Sequence, residues 1–265
     1  MATGNTVKIA WQEAGASTKP ALIFLHAMAG SATAWAPQMD AFAQDYRCLA
    51  WDMPGFGDSS DAPEGADMNW TVETLAHFVT QTLGLKSAHF VGLSVGGMIL
   101  QHLAAAYPAL VDSAAILDSS PKFGYGGDAD PEAFESGILA DLKSGISPAD
   151  FSNSMIRAIV GPACPEEIKL DTIASMSRSR LNGLALTTRL IARHDALDIL
   201  PHIACPTLAM AGAQDGETPP SYALAIAQMI PGASATIIPN AGHIVNLENP
   251  TLVTARLRFF LEHGL

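Results

Sequence analysis

The sequence is poor in several features that whole classes of protein require. It holds three cysteines, Cys48, Cys164 and Cys205, an odd number at long spacings, so neither a disulfide framework nor a metal-binding quartet is predicted. Lysine and arginine number 14 against 26 aspartates and glutamates, for a formal charge of -12. A basic face able to neutralise phosphates is therefore missing, which argues against nucleic acid and anionic membranes as partners. No apolar run approaches the roughly 20 residues of a membrane span. The opening Met1-Ala-Thr-Gly-Asn5 has neither the basic nor the apolar region of a secretory signal. The expected setting is cytoplasmic and the expected partner a small molecule. On oligomeric state the sequence is silent.

What is present is a rhythm of alternating strand and helix patterns. With 265 residues and 49% hydrophobic content the chain can bury one large core, and a single domain carrying an insertion is the economical expectation. Thr6–Trp11 suits an outer strand, and the continuous apolar run Ala21–Leu25 suits a strand covered on both faces. Further strand patterns lie at Tyr46–Trp51, His89–Leu93, Ser113–Leu117, Pro206–Ala211 and Ala235–Ile238. Helical patterns lie at Trp35–Ala43, Val72–Leu83, 96–107, Ser221–Met229 and Pro250–Glu262. Parallel neighbours need crossovers, and crossover helices cover the faces, so the predicted class is α/β with a mostly parallel, doubly wound sheet. Only 121–200 breaks the rhythm: loop formers at Gly124, Gly126, Gly127 and Pro131 precede helical patterns at Glu132–Asp141, Pro148–Ile159, Pro165–Met176 and Asn182–Ile199. This stretch reads as a helical cap inserted into a core of 1–120 and 201–265.

The chemistry centres on AHFVGLSVGGMIL, residues 88–100. An apolar strand breaks on Gly92-Leu-Ser-Val-Gly96 and restarts at once as a helix. Small flanking residues permit so sharp a turn, and its strained centre would present Ser94 at the tip. A serine hydroxyl is a weak nucleophile near neutral pH, so it needs a base within reach and a carboxylate to orient that base. Among eight histidines, His243 is the candidate base, because the loop NAGH follows a strand directly. Asp215 in AGAQDGETPP, just past another strand, is the candidate acid, and the order Ser94, Asp215, His243 suits this elbow chemistry. Asp118 in AAILDSSP is the competing acid; its other possible duty is a local turn bond with Ser119 and Ser120.

A developing oxyanion needs two fixed donors. The Val95 amide, next to the nucleophile, and the Met28 amide in LHAMAGS are expected to provide them. The small residues Ala27, Ala29 and Gly30 keep that loop tight, Ala27 and Ala29 are candidates to touch substrate, and His26 is expected to hold the loop in place. The turn DMPGFGDS (52–59) reads as architectural, since Pro54 has no N–H and no lysine follows to make a phosphate cradle. No cofactor and no metal are expected. In the cap, Arg178, Arg180, Arg189 and Arg193 gather; Arg189 and Arg193 share a helical face and are candidates for an anionic substrate, or for ion pairs with Asp195 and Asp198. Met28, Met155 and Met176 suit either a pliable pocket or the core.

Taken together, these motifs resemble the α/β-hydrolase superfamily over nearly the whole chain. FLHAMAGSATAW is similar to its oxyanion loop, WDMPGFGDSS to its D-x-P-G-x-G-x-S turn, GLSVGG to its elbow, and AGAQDGETPP and NAGHIVNLENP to its acid and histidine loops. GLSVGGMILQHLA and AGHIVNLENP are most similar to small esterases and lactonases that include 3-oxoadipate enol-lactonases. Departures are Ala27, where glycine is usual, and Ile244, where carbon-carbon bond hydrolases often carry tryptophan. A short leading segment implies seven strands where eight are common. The resemblance implies a cofactor-free serine hydrolase of a small ester or lactone acting through an acyl-enzyme. The alternatives are carbon-carbon bond hydrolase, thioesterase, amidase or perhydrolase with the same three residues, or a binding protein on this scaffold.

Overall fold

The computed structural model describes residues 7–264. Among them, seven strands form one sheet: β1 (Trp11–Ala14), β2 (Ala21–Leu25), β3 (Arg47–Trp51), β4 (Ala88–Leu93), β5 (Val111–Leu117), β6 (Thr207–Gly212) and β7 (Ser234–Ile238). The helices are α1 (Ala36–Phe42), α2 (Met68–His77), α3 (Val95–Ala106), α4 (Pro131–Lys143), α5 (Pro148–Ile159), α6 (Glu166–Met176), α7 (Leu181–Ala192), α8 (Pro220–Met229), α9 (Val245–Glu248) and α10 (Pro250–His263). The spatial order is β1-β3-β2-β4-β5-β6-β7, and only β1 runs antiparallel to its neighbour. The chain winds outward first from β2 toward β1 and then from β4 toward β7. The strand order therefore reverses between β2 and β4, the point at which an open parallel sheet leaves a crevice beyond its carboxyl ends.

Alternation along β2 explains why the sheet needs cover on both sides. Ile23 and Leu25 join Leu49 and Trp51 in a core beneath α2, α3 and α8, whereas Leu22 and Phe24 join Cys48 and Ala50 beneath α1 and α10. Each fully buried Leu, Ile or Phe contributes roughly 1.5–3 kcal/mol, so a run with no polar face is stable only between two helical layers.

Three elements differ from the sequence reading by more than two residues. The expected strand at Thr6–Trp11 falls partly outside the described residues; from Lys8 to Ala10 the chain bonds the 52–60 turn, through Ser60 N–H to Lys8 O and Asp52 N–H to Ala10 O, and strand pairing begins only at Trp11. The expected helix at Val72–Leu83 starts earlier, at Met68, because the Asp67 carboxylate caps the Trp70 N–H at 2.9 Å. The helix expected to reach Ile199 ends at Ala192, since His194 turns inward to bond Ser120 O at 2.8 Å and Lys122 pairs with Asp195.

Two glycines set the elbow. A Cβ on Gly92 would collide with the Gly96 carbonyl, and one on Gly96 with the carbonyls of Leu25 and His26, so β4, α3 and the end of β2 approach as closely as backbones can. Gly92→Ala is expected to destabilise the protein by about 1–3 kcal/mol through overpacking. A urea titration monitored by tryptophan fluorescence should show the lowered midpoint.

Candidate active site

Met28, Ser94, Asp215 and His243 each follow a parallel strand at its carboxyl end. Ser94 stands between β4 and α3 at φ 55 and ψ -120, a conformation that a serine adopts only under outside constraint. Its backbone is held from β5: the Ser94 N–H donates to Leu117 O at 2.9 Å, and Ser119 Oγ donates to Ser94 O at 2.9 Å. The Ser94 hydroxyl lies 2.9 Å from His243 Nε2, and His243 Nδ1 lies 2.9 Å from Asp215 Oδ2. In the neutral ring, with Nδ1–H donating to the carboxylate, Nε2 is left free to accept from the serine.

Asp215 is itself fixed by its own loop. Its Oδ1 accepts from the Glu217 and Thr218 amides at 2.8 and 3.0 Å, and Oδ2 accepts from Thr218 Oγ1 at 2.7 Å. Burial works to raise its pKa, but the His243 hydrogen bond and charge, with Thr218, hold it below the ordinary carboxylate value. For His243, burial alone lowers the pKa; the hydrogen bond and charge of Asp215, with the charges of Asp118 and Glu217, outweigh it and push the value up to about 9.

The loop after β2 is braced as the sequence suggested for His26. This ring is fully buried, accepts from Met53 N–H at 2.9 Å and lies 2.8 Å from Ala27 O, so Nδ1 carries the proton. Burial lowers its pKa, which keeps it neutral. Asp52 accepts from Ala32 N–H at 2.8 Å, so the 52–59 turn and the 27–32 loop hold each other.

Ser94, His243, Ala27 and Met28 border a cavity of about 970 Å³ enclosed by residues of α4, α5 and α6. Met155 and Met176 also line it, with Phe123, Phe134 and Phe151, so the wall is mainly apolar. Val95 is the first residue of α3, where helical N–H groups lack partners within the helix. Three candidates lie elsewhere. Ala29 is buried outside the cavity wall at φ 57, and its carbonyl accepts from Ser179 Oγ at 3.0 Å. Arg189 and Arg193 face Glu135 at 3.6 and 3.1 Å, away from the serine, because a carboxylate on α4 sits opposite their shared helical face. The expected partners Asp195 and Asp198 are not the ones used. Arg180 pairs with Asp61 and bonds the carbonyls of Gly57 and Ser59, and Arg178 alone of the four borders the cavity.

Asp118 takes neither of its expected duties, as it bonds the Gly212 and Val245 amides instead of His243 or its own turn. Sequence reasoning missed Ser119, Thr218 and Glu248. The Asp215-x-x-Thr218 spacing was a local signal for a capping turn, whereas Glu248 left none: its partners are the Gly161, Gly242 and Ile244 amides, the first of them 87 positions away.

A serine on a strained turn at the switch point, with an imidazole and a carboxylate behind it, defines the class as hydrolytic enzymes on a doubly wound sheet. The chain belongs to the alpha/beta hydrolase family, whose model matches residues 20–250. It is 29% identical over 252 residues to 3-oxoadipate enol-lactonase 1 of Acinetobacter baylyi, covering 93% of this chain and 90% of that one. It is 26% identical over 261 residues to the dihydrolipoyllysine-residue acetyltransferase component of the acetoin cleaving system of Pseudomonas putida, a match that takes in 95% of this chain and 66% of that protein. The structure of a thermophilic esterase from Thermogutta terrifontis superposes with a TM-score of 0.89 at 26% identity, covering 99% of this chain and 96% of that one. The esterase and lactonase branch suggested by the motif wording is thus represented among its relatives.

An imidazole must be neutral to accept a proton, and this one holds its proton to about pH 9, so kcat/KM should climb from neutral into alkaline pH. Asp215→Asn removes the main group raising the His243 pKa; its pH profile should shift to lower pH while kcat falls by about 10⁴-fold. Reversing the charge at Arg189 and Arg193 should leave the ratio of KM values for anionic and neutral esters unchanged, because Glu135 already occupies both.

Proposed function

We propose that this chain is a serine hydrolase of carboxylic esters or lactones that works without a cofactor. The observation that carries the reading is the continuous path from Ser94 Oγ through His243 to Asp215, 2.9 Å at each step, at the floor of a largely apolar cavity. In this reading His243 takes the Ser94 proton as Oγ attacks the acyl carbon. The imidazolium then protonates the departing alkoxide, leaving an acyl-enzyme, and neutral His243 next activates water to release the acid. The Val95 and Met28 amides hold the oxyanion at each tetrahedral stage. The dipole of α3 points its positive end at that oxygen and adds to the stabilisation.

The segment 121–200 acts here as a cap over the core of 1–120 and 201–265. Two features support this. Ser175 of α6 reaches Ser31 and Thr33 beside the oxyanion loop, and the His243 N–H donates to Ile159 O at the end of α5. The aromatic and aliphatic wall favours an acyl or alcohol group of some bulk, with Arg178 the only arginine or lysine on it among the described residues. The lactonase named among the relatives supports a cyclic ester as one form of substrate. Three free cysteines suit a cytoplasmic setting.

Turnover of p-nitrophenyl esters should rise from the acetate toward medium-chain acyl groups and fall by several orders of magnitude in Ser94→Ala. Undiminished turnover in that variant would overturn the reading. Failure of a fluorophosphonate to label Ser94 would favour a binding protein. Assay of thioester, amide, vinylogous diketone and peroxide-plus-acid substrates in parallel separates the other reactions open to these residues.

A further inference from the structure

Asp118 is a buried charge that the mechanism above leaves without a task. It closes β5 at φ 41, in the left-handed region that costs a residue with a side chain. Its carboxylate is fully buried and bonds backbone amides: Oδ1 accepts from Gly212 N–H at 2.8 Å, and Oδ2 accepts from Val245 N–H at 2.9 Å. Its own N–H donates to Met210 O at 2.8 Å. Gly212 ends β6 three residues before Asp215, and Val245 opens α9 two residues after His243. One side chain therefore ties the acid's strand and the histidine's loop to the strand beside the nucleophile.

The charge matters as well as the reach. Both oxygens accept from N–H groups that cannot reverse their role, so the ionised form is the one that satisfies the site. The titratable groups facing His243 are Asp215, Asp118 and Glu217, and those facing Asp118 are His243 and Asp215. Burial and the Asp215 charge raise the Asp118 carboxyl, the His243 charge and the two amide bonds offset part of this, and the net result is pushed up to about 7. When the Ser94 proton moves to His243, the resulting imidazolium has Asp215 in contact and Asp118 nearby in a medium that screens poorly.

We propose, building on the triad reading above, that Asp118 is a positioning residue that sets the spacing of the Asp215 and His243 loops and serves as a second counter-charge for the imidazolium. It touches no substrate. The role is written in the two amide bonds and in the position of those amides beside the acid and the base.

The test is Asp118→Asn, which keeps the shape but must turn an NH₂ group toward one of the two amides. On a p-nitrophenyl ester, kcat is expected to fall about 10- to 100-fold with KM little changed, as for a small misplacement of catalytic groups. The acid limb of the kcat/KM profile is also expected to move to lower pH, since an imidazolium that loses a neighbouring negative charge gives up its proton more readily. An unchanged rate and limb would overturn the proposal. A lower rate with the limb unmoved would also overturn it, reducing Asp118 to a fold-holding role. Ser94→Ala measured alongside keeps the two readings apart, because its retained turnover would reject the triad whatever Asp118→Asn does. Should the asparagine variant fail to fold, ¹H–¹⁵N spectra of the wild-type protein decide. The Gly212 and Val245 amide signals should shift with one common midpoint as the shared carboxylate gains its proton, and the His243 ring signals should shift at that same midpoint; independent or absent shifts in either would overturn the proposal.

Discussion

A serine backbone at φ 55 and ψ -120 costs about 1–3 kcal/mol and persists only where its surroundings leave it no relaxed alternative. Here the surroundings are three backbones packed without side chains between them. Gly92 lies against the Gly96 carbonyl, and Gly96 lies against the carbonyls that end β2. The end of β5 takes both polar backbone groups of Ser94, through Leu117 O and Ser119 Oγ. The strain therefore presents a hydroxyl at the crevice and keeps the first amide of α3 beside it. Loosening the contact would let the turn relax and withdraw both groups together.

The loops that complete the site face a different problem. They leave the sheet's carboxyl edge with buried N–H groups that no regular ladder satisfies. Carboxylates answer it repeatedly: Asp52 accepts from Ala32, Asp118 from Gly212 and Val245, Asp215 from Glu217 and Thr218, and Glu248 from Gly161, Gly242 and Ile244. A hydrogen bond to a charged acceptor is worth roughly twice a neutral one, which suits segments that lack the cooperativity of helix or strand. Glu248 also joins the end of α5 to the histidine loop, so one carboxylate links the wall of the cavity to the base. Two of these, Asp215 and Asp118, also favour the charged form of His243, so loop architecture and acid–base chemistry share residues.

The chemistry-bearing residues were legible where their signal was local. The elbow is a five-residue pattern whose spacing dictates a turn. His243 and Asp215 sit directly after apolar strands, and each strand's carboxyl end faces the crevice. What could not be read was which partner each charge would choose. Arg189 and Arg193 share a face, as their spacing required, yet the group opposite that face is Glu135 of α4 and not a substrate. Asp118 looked like either a triad acid or a turn residue, and it is neither, since its partners are the amides that end β6 and open α9, both far beyond it in the chain. Helix ends were displaced for the same reason: the chain leaves α7 at Ala192 because His194 finds Ser120, more than 70 positions earlier.

By itself, then, the amino-acid order determined the periodicities and the strained turn. Alternating apolar runs and helical stripes can bury themselves only as a covered parallel sheet, and glycine on both sides of a serine permits only one kind of bend. Tertiary structure alone decided the contacts between distant loops: which carboxylate meets the imidazole, which one meets backbone amides, and which arginines are left facing the cavity. Such choices depend on distances across the sheet's edge, and these are set by how tightly the strands and helices pack, a quantity that no short stretch of residues contains.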